Sequence, residues 1–163
     1  MQNANYKSGF SLIEALIAIV LVGFAVASLL TANGAFTKAN GAGTDLSTAE
    51  FLAEQIRELS ALLPVIDPET ETATFGPESG EALSTYDDLD DFDGAIFSPP
   101  IGVDRGPLAE LAAFSQQVTV ENVNPSNFEQ VAADHSSVFV RVTVRVYLSS
   151  REISSASWLR TRY

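Results

Sequence analysis

Residues 10–32 read FSLIEALIAIVLVGFAVASLLTA, and Glu14 is the only charged residue among them. As an α-helix rising about 1.5 Å per residue, this run is about 35 Å long, enough to cross a hydrocarbon core of about 30 Å. A short polar leader, MQNANYKSG, precedes it and carries one basic residue, Lys7. A secretory signal is cut behind its apolar stretch at a small-residue site. Here no A-x-A site ends the run, and Gly9 stands in front of it. Hydrophobicity and one flanking lysine account for a plain membrane anchor, but they leave Glu14 unexplained. A carboxylate inside an apolar span is costly and marks a functional partner.

Gly9-Phe10-Ser11-Leu12-Ile13-Glu14 resembles the cleavage and methylation motif of type IV prepilins and of type II secretion pseudopilins. The resemblance implies that a membrane aspartyl prepilin peptidase cuts between Gly9 and Phe10 and that the new N-terminus, Phe10, is N-methylated. Glu14 then becomes the fifth residue of the processed chain. Glycine before the cut lets the backbone lie flat in a protease groove, since it has no side chain to clash. A carboxylate at the fifth position can pair with the N-terminal ammonium of a neighbouring subunit, and in hydrocarbon that pair is far more strongly coupled than in water. Glu14 is thus the candidate assembly residue, setting the register of one helix on the next.

Beyond residue 32 the sequence stays compatible with a helix but weakens. Asn33-Gly34 and Asn40-Gly41-Ala42-Gly43 are helix-weakening pairs. They mark either a bend or melting point in one long helix, as the pilin resemblance implies, or an ordinary break between two helices. A second stretch has Ala49, Leu52, Ala53, Ile56, Leu59 and Leu63 at three- and four-residue spacing, with Glu50, Glu54, Arg57 and Glu58 mostly off that stripe. Thr44 or Ser47 is a candidate cap, and Ser47 with Glu50 matches a capping box. Pro64 disfavours helix at Leu63, so the helix is expected to end there.

The division that follows is a leader (1–9), a transmembrane and assembly helix (10–32), its amphipathic continuation (33–63) and a globular head (64–163). Residues 64–107 are rich in proline, glycine and acid, and read as a long surface loop with short elements. Residues 117–123 alternate weakly. Residues 137–148 alternate strongly, with Val138, Val140, Val142, Val144, Val146 and Leu148 on one face and Phe139, Arg141, Thr143, Arg145 and Tyr147 on the other. Residues 152–163 supply a last strand after a turn at Ser149-Ser150. The fold class is α+β, a long N-terminal helix packed on a C-terminal antiparallel sheet.

The acidic run YDDLDDFDG (86–94) is the second distinctive feature. Residues 67–93 hold ten acidic side chains and no basic one. Three readings stand open for Asp87, Asp88, Asp90, Asp91 and Asp93: a solvated acidic loop, a Ca²⁺ site of oxygen ligands, or a charge partner for the Arg141/Arg145 face. The spacing does not match an EF-hand loop. The run also resembles the Asp-rich Y-D-D-x-D-D-[FY]-x-G segment of minor pilins from mannose-sensitive haemagglutinin-type pili, which implies a minor subunit.

The formal net charge of −12 disfavours nucleic acid or an anionic lipid surface as a general partner. The chain has no cysteine and one histidine, His135. Thiolate metal sites, disulfides and His-based sites therefore have nothing to build on, and His135 is expected in a loop. Trp158 is expected at an edge of the core. No nucleophile–base arrangement and no phosphate-binding glycine loop is present, so no enzymatic role is expected.

The function expected is a structural minor subunit of a type IV pilus-like filament. Before assembly the subunit is held in the lipid of the bacterial inner membrane, with its head outside the cytoplasm. Its partners are other pilins in a helical filament, the prepilin peptidase and the inner-membrane assembly machinery. A minor pseudopilin of a type II secretion system is the alternative within this class. A tip adhesin or DNA-uptake pilin, and a plain membrane-anchored domain, are alternatives outside it.

Overall fold

The computed structural model describes residues 9–65 and 75–162. The leader up to residue 8, the acidic residues Asp67, Glu69 and Glu71, and Tyr163 lie outside the described residues. Contacts divide the chain into two compact units, Met1–Gly43 and Thr44–Tyr163.

One helix, α1, runs from Leu12 to Ser60 without interruption. Of the two readings left open for the Asn-Gly pairs, the break between two helices does not hold. Each glycine costs about 0.5–1 kcal/mol relative to alanine, whereas a break costs the hydrogen bonds of a turn and requires a second helix nucleus. A Cβ at Gly34, Gly41 or Gly43 would meet nothing within 4 Å, so no packing within the chain demands these glycines. Thr44 and Ser47 are interior positions of α1 rather than caps. The Thr48 hydroxyl donates to the Thr44 carbonyl at 2.9 Å, as helical Ser and Thr commonly do.

The α-helical hydrogen bonding stops at Ser60, three residues before the expected end. Residues 61–63 form a tighter turn in which the Leu63 amide donates to the Ser60 carbonyl. Arg160 supplies the reason for the stop. Its guanidinium donates to the Ser60 carbonyl at 2.8 Å and to the Leu63 carbonyl at 2.9 Å. A cation thus satisfies carbonyls that the helix end leaves orphaned, at the negative pole of the helix.

The sheet is antiparallel and comprises β1 (Ile96–Phe97), β2 (Phe114–Asn124), β3 (Asn127–Val131), β4 (Phe139–Leu148) and β5 (Arg151–Thr161). The order is β1-β2-β4-β5, with β3 pairing the far end of β2. In the β2–β4 register, Val118 faces Val144 and Val120 faces Val142. Val140, Val142, Val144 and Val146 are fully buried, as the alternation predicts. Val138 precedes the strand and is exposed. The valines share one core with Ala49, Leu52, Ala53 and Ile56 from the second part of α1. Each buried valine, leucine or isoleucine contributes about 1.5–3 kcal/mol by leaving water. Trp158 lies partly buried against this core, with the Arg57 guanidinium 5.8 Å from its ring centroid.

Gln116 is a polar residue at the centre of this core, with no exposed surface. Its Oε1 accepts the Ile101 amide at 2.8 Å, and its Nε2 donates to the Leu52 carbonyl at 2.8 Å and the Ile101 carbonyl at 3.2 Å. One amide thereby ties strand, helix and the segment before β2. Replacing Gln116 with leucine strands the Ile101 amide and carbonyl in an apolar core, and should destabilise the head by about 2–4 kcal/mol. A denaturant titration of the wild-type and Gln116→Leu proteins checks this.

The β4–β5 turn is built on Ser149 and Ser150, both left-handed at φ 49° and 72°. Two positive φ values in a two-residue hairpin match a type I′ turn, which favours Asn-Gly over Ser-Ser. Ser150→Gly should raise stability by about 1 kcal/mol by relieving the left-handed backbone, seen as a higher melting temperature in a thermal scan.

Candidate functional site

The first candidate site is the start of α1. Ser11 precedes the helix, and the Glu14 amide donates to Ser11 Oγ at 3.3 Å. In return the Ser11 amide points at Glu14 Oε2 at 3.5 Å. This reciprocal pattern is a capping box, formed at Ser11/Glu14 and not at Ser47/Glu50. Its signal, Ser-x-x-Glu at the mouth of an apolar run, is visible in the sequence. At 3.5 Å the carboxylate is only loosely engaged. Gly9, Phe10 and Glu14 are all exposed.

Every residue from 9 to 44 is exposed, including Leu12, Ile13, Ile19, Phe24, Leu29 and Leu30. α1 is long and apolar enough at its N-terminal end to cross a membrane. Its hydroxyls suit that solvent. Ser28 Oγ donates to the Phe24 carbonyl at 2.8 Å and Thr31 Oγ1 to the Ala27 carbonyl at 3.0 Å, so neither hydroxyl is left unpaired.

The second candidate site is the acidic run of the head, and it is not a solvated loop. Asp88, Asp90 and Asp91 are 2%, 3% and 1% exposed. The cause is the spacing of Tyr86, Leu89 and Phe92. Leu89 and Phe92 are fully buried, and a 3₁₀ turn over Asp90–Phe92 carries the aspartates inward with them. The Tyr86 and Phe92 rings meet edge to face at 5.1 Å. A three-residue apolar recurrence inside an acidic run was the available signal for burial.

Within the turn the aspartates hold one another's backbone. Asp91 Oδ2 accepts the amides of Asp87 at 2.9 Å and Asp88 at 3.3 Å, and Asp88 Oδ1 accepts the Asp91 amide at 3.1 Å. Asp90 Oδ2 accepts the Gly76 amide at 3.4 Å. Asp90 Oδ1 and Asp91 Oδ1 are buried with no hydrogen-bond partner. Asp93 is placed differently. Its Oδ1 accepts the Val120 amide at 2.8 Å, continuing the β1–β2 edge past the end of β1.

Arginine does not neutralise this group. Arg141 pairs with Glu121 at 2.9 Å and donates to the Phe128 carbonyl, and no ion pair joins Arg141 or Arg145 to the aspartates among the described residues. Desolvation by burial pushes Asp88 up to about 8, with the adjacent Asp90 carboxyl adding to it. Burial also pushes Asp91 up to about 6, against the amide hydrogen bonds that lower it. Asp90 is raised by the same cause. Single carboxylate oxygens of Asp87, Asp88 and Asp91 lie within 4.8 Å of one another, and so do those of Glu78, Glu81 and Asp91.

His135 sits in an exposed turn at φ 57°, its ring edge-on to Phe75 at 5.7 Å. The family described as the prokaryotic N-terminal methylation motif matches residues 4–30. No curated protein and no solved structure matches the chain at a significant level. The motif stands at the head of a long helix whose second part packs on an antiparallel sheet. The chain therefore carries a prepilin-type N-terminal methylation motif, consistent with the type IV pilin and pseudopilin family and with a membrane-anchored precursor that is processed, N-methylated and assembled through its N-terminal helix.

Proposed function

We propose that the protein is a minor subunit of a type IV pilus-like filament, cut between Gly9 and Phe10, N-methylated on Phe10, and assembled through Glu14. The observation that carries this reading is the pairing of the methylation motif with an apolar helix exposed along its whole first part. Such a surface needs lipid before assembly and other helices after it. The proposed division is a leader (1–9), an assembly helix (10–32), its amphipathic continuation (33–63) and a head (64–163). The precursor is a single-pass protein of the bacterial inner membrane with its head outside the cytoplasm, and its partners are the prepilin peptidase, the assembly machinery and other pilins.

The minor role rests on the Asp-rich segment of the head. A minor pseudopilin of a type II secretion system is the competing assignment, and a gene deletion separates the two. Loss of surface pili with intact enzyme secretion supports the pilus, and the reverse supports the pseudopilus.

Mass spectrometry of the assembled subunit should find a chain starting at N-methylated Phe10; an intact Met1 would overturn the processing reading. Glu14→Ala should be cut normally yet reduce filament incorporation by at least about tenfold, because the neighbouring ammonium loses its partner in a low-dielectric environment. Immunoblots of sheared filaments against whole-cell precursor check this, and undiminished incorporation would sink the role of Glu14.

A further inference from the structure

We propose that the acidic pocket of the head is a calcium site held by Asp87, Asp88 and Asp91, with Glu78 and Glu81 flanking it from the preceding segment. Ca²⁺ binds oxygen at about 2.3–2.6 Å, so two ligands on one ion stand at most about 5 Å apart. The Asp87, Asp88 and Asp91 oxygens meet that limit, all lying within 4.8 Å of one another. The Glu78, Glu81 and Asp91 oxygens meet it too, and Asp91 belongs to both sets.

Asp91 is the residue that points to a ligand independently of the cluster. It is 1% exposed, and its Oδ1 has no hydrogen-bond partner. Its other oxygen is held by the Asp87 and Asp88 amides, which fixes the carboxylate in place before any ion arrives. Asp90 beside it, 3% exposed, has a second buried oxygen without a partner. Buried polar atoms are normally satisfied, and an oxygen left without a donor in a carboxylate pocket is open to a cation. No ion pair reaches these carboxylates among the described residues. Arg105 donates instead to the Leu83 carbonyl and Arg160 to the end of α1.

The donor set selects the metal. It consists of oxygen atoms alone, which suits hard cations and disfavours zinc and copper. The carboxylates come from a short turn and a separate segment rather than a rigid octahedral cage, which suits Ca²⁺ better than Mg²⁺. The bound ion would join residues 78–81 to residues 87–91 and so lock the turn that carries Leu89 and Phe92 into the core. The proposal is independent of the filament role.

The test uses the full chain purified in detergent and stripped with EDTA. Calorimetric titration with CaCl₂ should show binding, with affinity of about 10⁻⁵–10⁻³ M in the range of extracellular sites. At 10 mM CaCl₂ the melting temperature should rise by about 5 °C or more. Asp91→Asn should abolish both responses. Asp87→Ala removes an exposed ligand that holds no backbone amide, so it keeps the fold and should weaken Ca²⁺ at least about tenfold; it decides the matter if Asp91→Asn does not fold. Absence of heat and of a thermal shift in the wild type overturns the site. Unchanged affinity in Asp87→Ala overturns the ligand assignment, and equal binding of MgCl₂ overturns the choice of metal.

Discussion

The valine face of β2 and β4 must be covered, and the stripe of Ala49, Leu52, Ala53 and Ile56 on α1 is what covers it. This contact decides most of the head. It explains why the helix is amphipathic past residue 48, where one face packs on the sheet, while the apolar stretch before residue 33 is exposed all round. Gln116 then sets how the stripe and the sheet meet, because its amide reaches the Leu52 carbonyl from within the strand. A hydrophobic face alone can slide along its partner. One buried amide with three defined partners cannot, so the polar residue supplies registry that the valines do not. Arg160 fixes the other end of the contact, joining β5 to the last carbonyls of α1.

Much of this was legible in the residues. The alternation at 137–148 marks β4 and its buried side, Ser149-Ser150 marks the hairpin turn, and the stripe at 49–59 marks the helix face that packs. These features are local and periodic, and periodicity survives without knowledge of the partner. Other features were hidden because they depend on tertiary pairing. Gln116 falls just before the weakly alternating residues 117–123, and nothing marks it until Ile101 and Leu52 are seen beside it. β3 is exposed along its length and has no apolar rhythm to announce it. Helix continuity across Asn33-Gly34 and 40–43 opposes local propensity, which is worth less than an unbroken ladder of hydrogen bonds.

The acidic run shows the same conflict in electrostatic form. Five aspartates read as a surface loop on charge alone, yet Leu89 and Phe92 gain more by burial than a turn of this size can easily refuse. The carboxylates follow the apolar side chains inward, and the backbone amides of Asp87, Asp88 and Asp91 absorb part of the cost. Asp93 escapes it by serving as a ladder acceptor for Val120. The oxygens left bare on Asp90 and Asp91 measure what the protein alone does not satisfy.

At the other end of α1, the assembly role proposed for Glu14 would compete with the contact its carboxylate makes in the single chain. In the single chain it closes a capping box with Ser11 through a 3.5 Å contact that is weak by geometry. A cut between Gly9 and Phe10, as proposed, would create a full positive charge one residue ahead of that cap. An ammonium is a stronger partner for a carboxylate than a peptide amide, and more so once lipid lowers the dielectric. The helix loses little when Glu14 turns away, because the Ser11 hydroxyl still accepts the Glu14 amide. Under the proposed assembly, the same side chain would start the helix in the isolated subunit and be given up to a neighbour without unwinding the first turn.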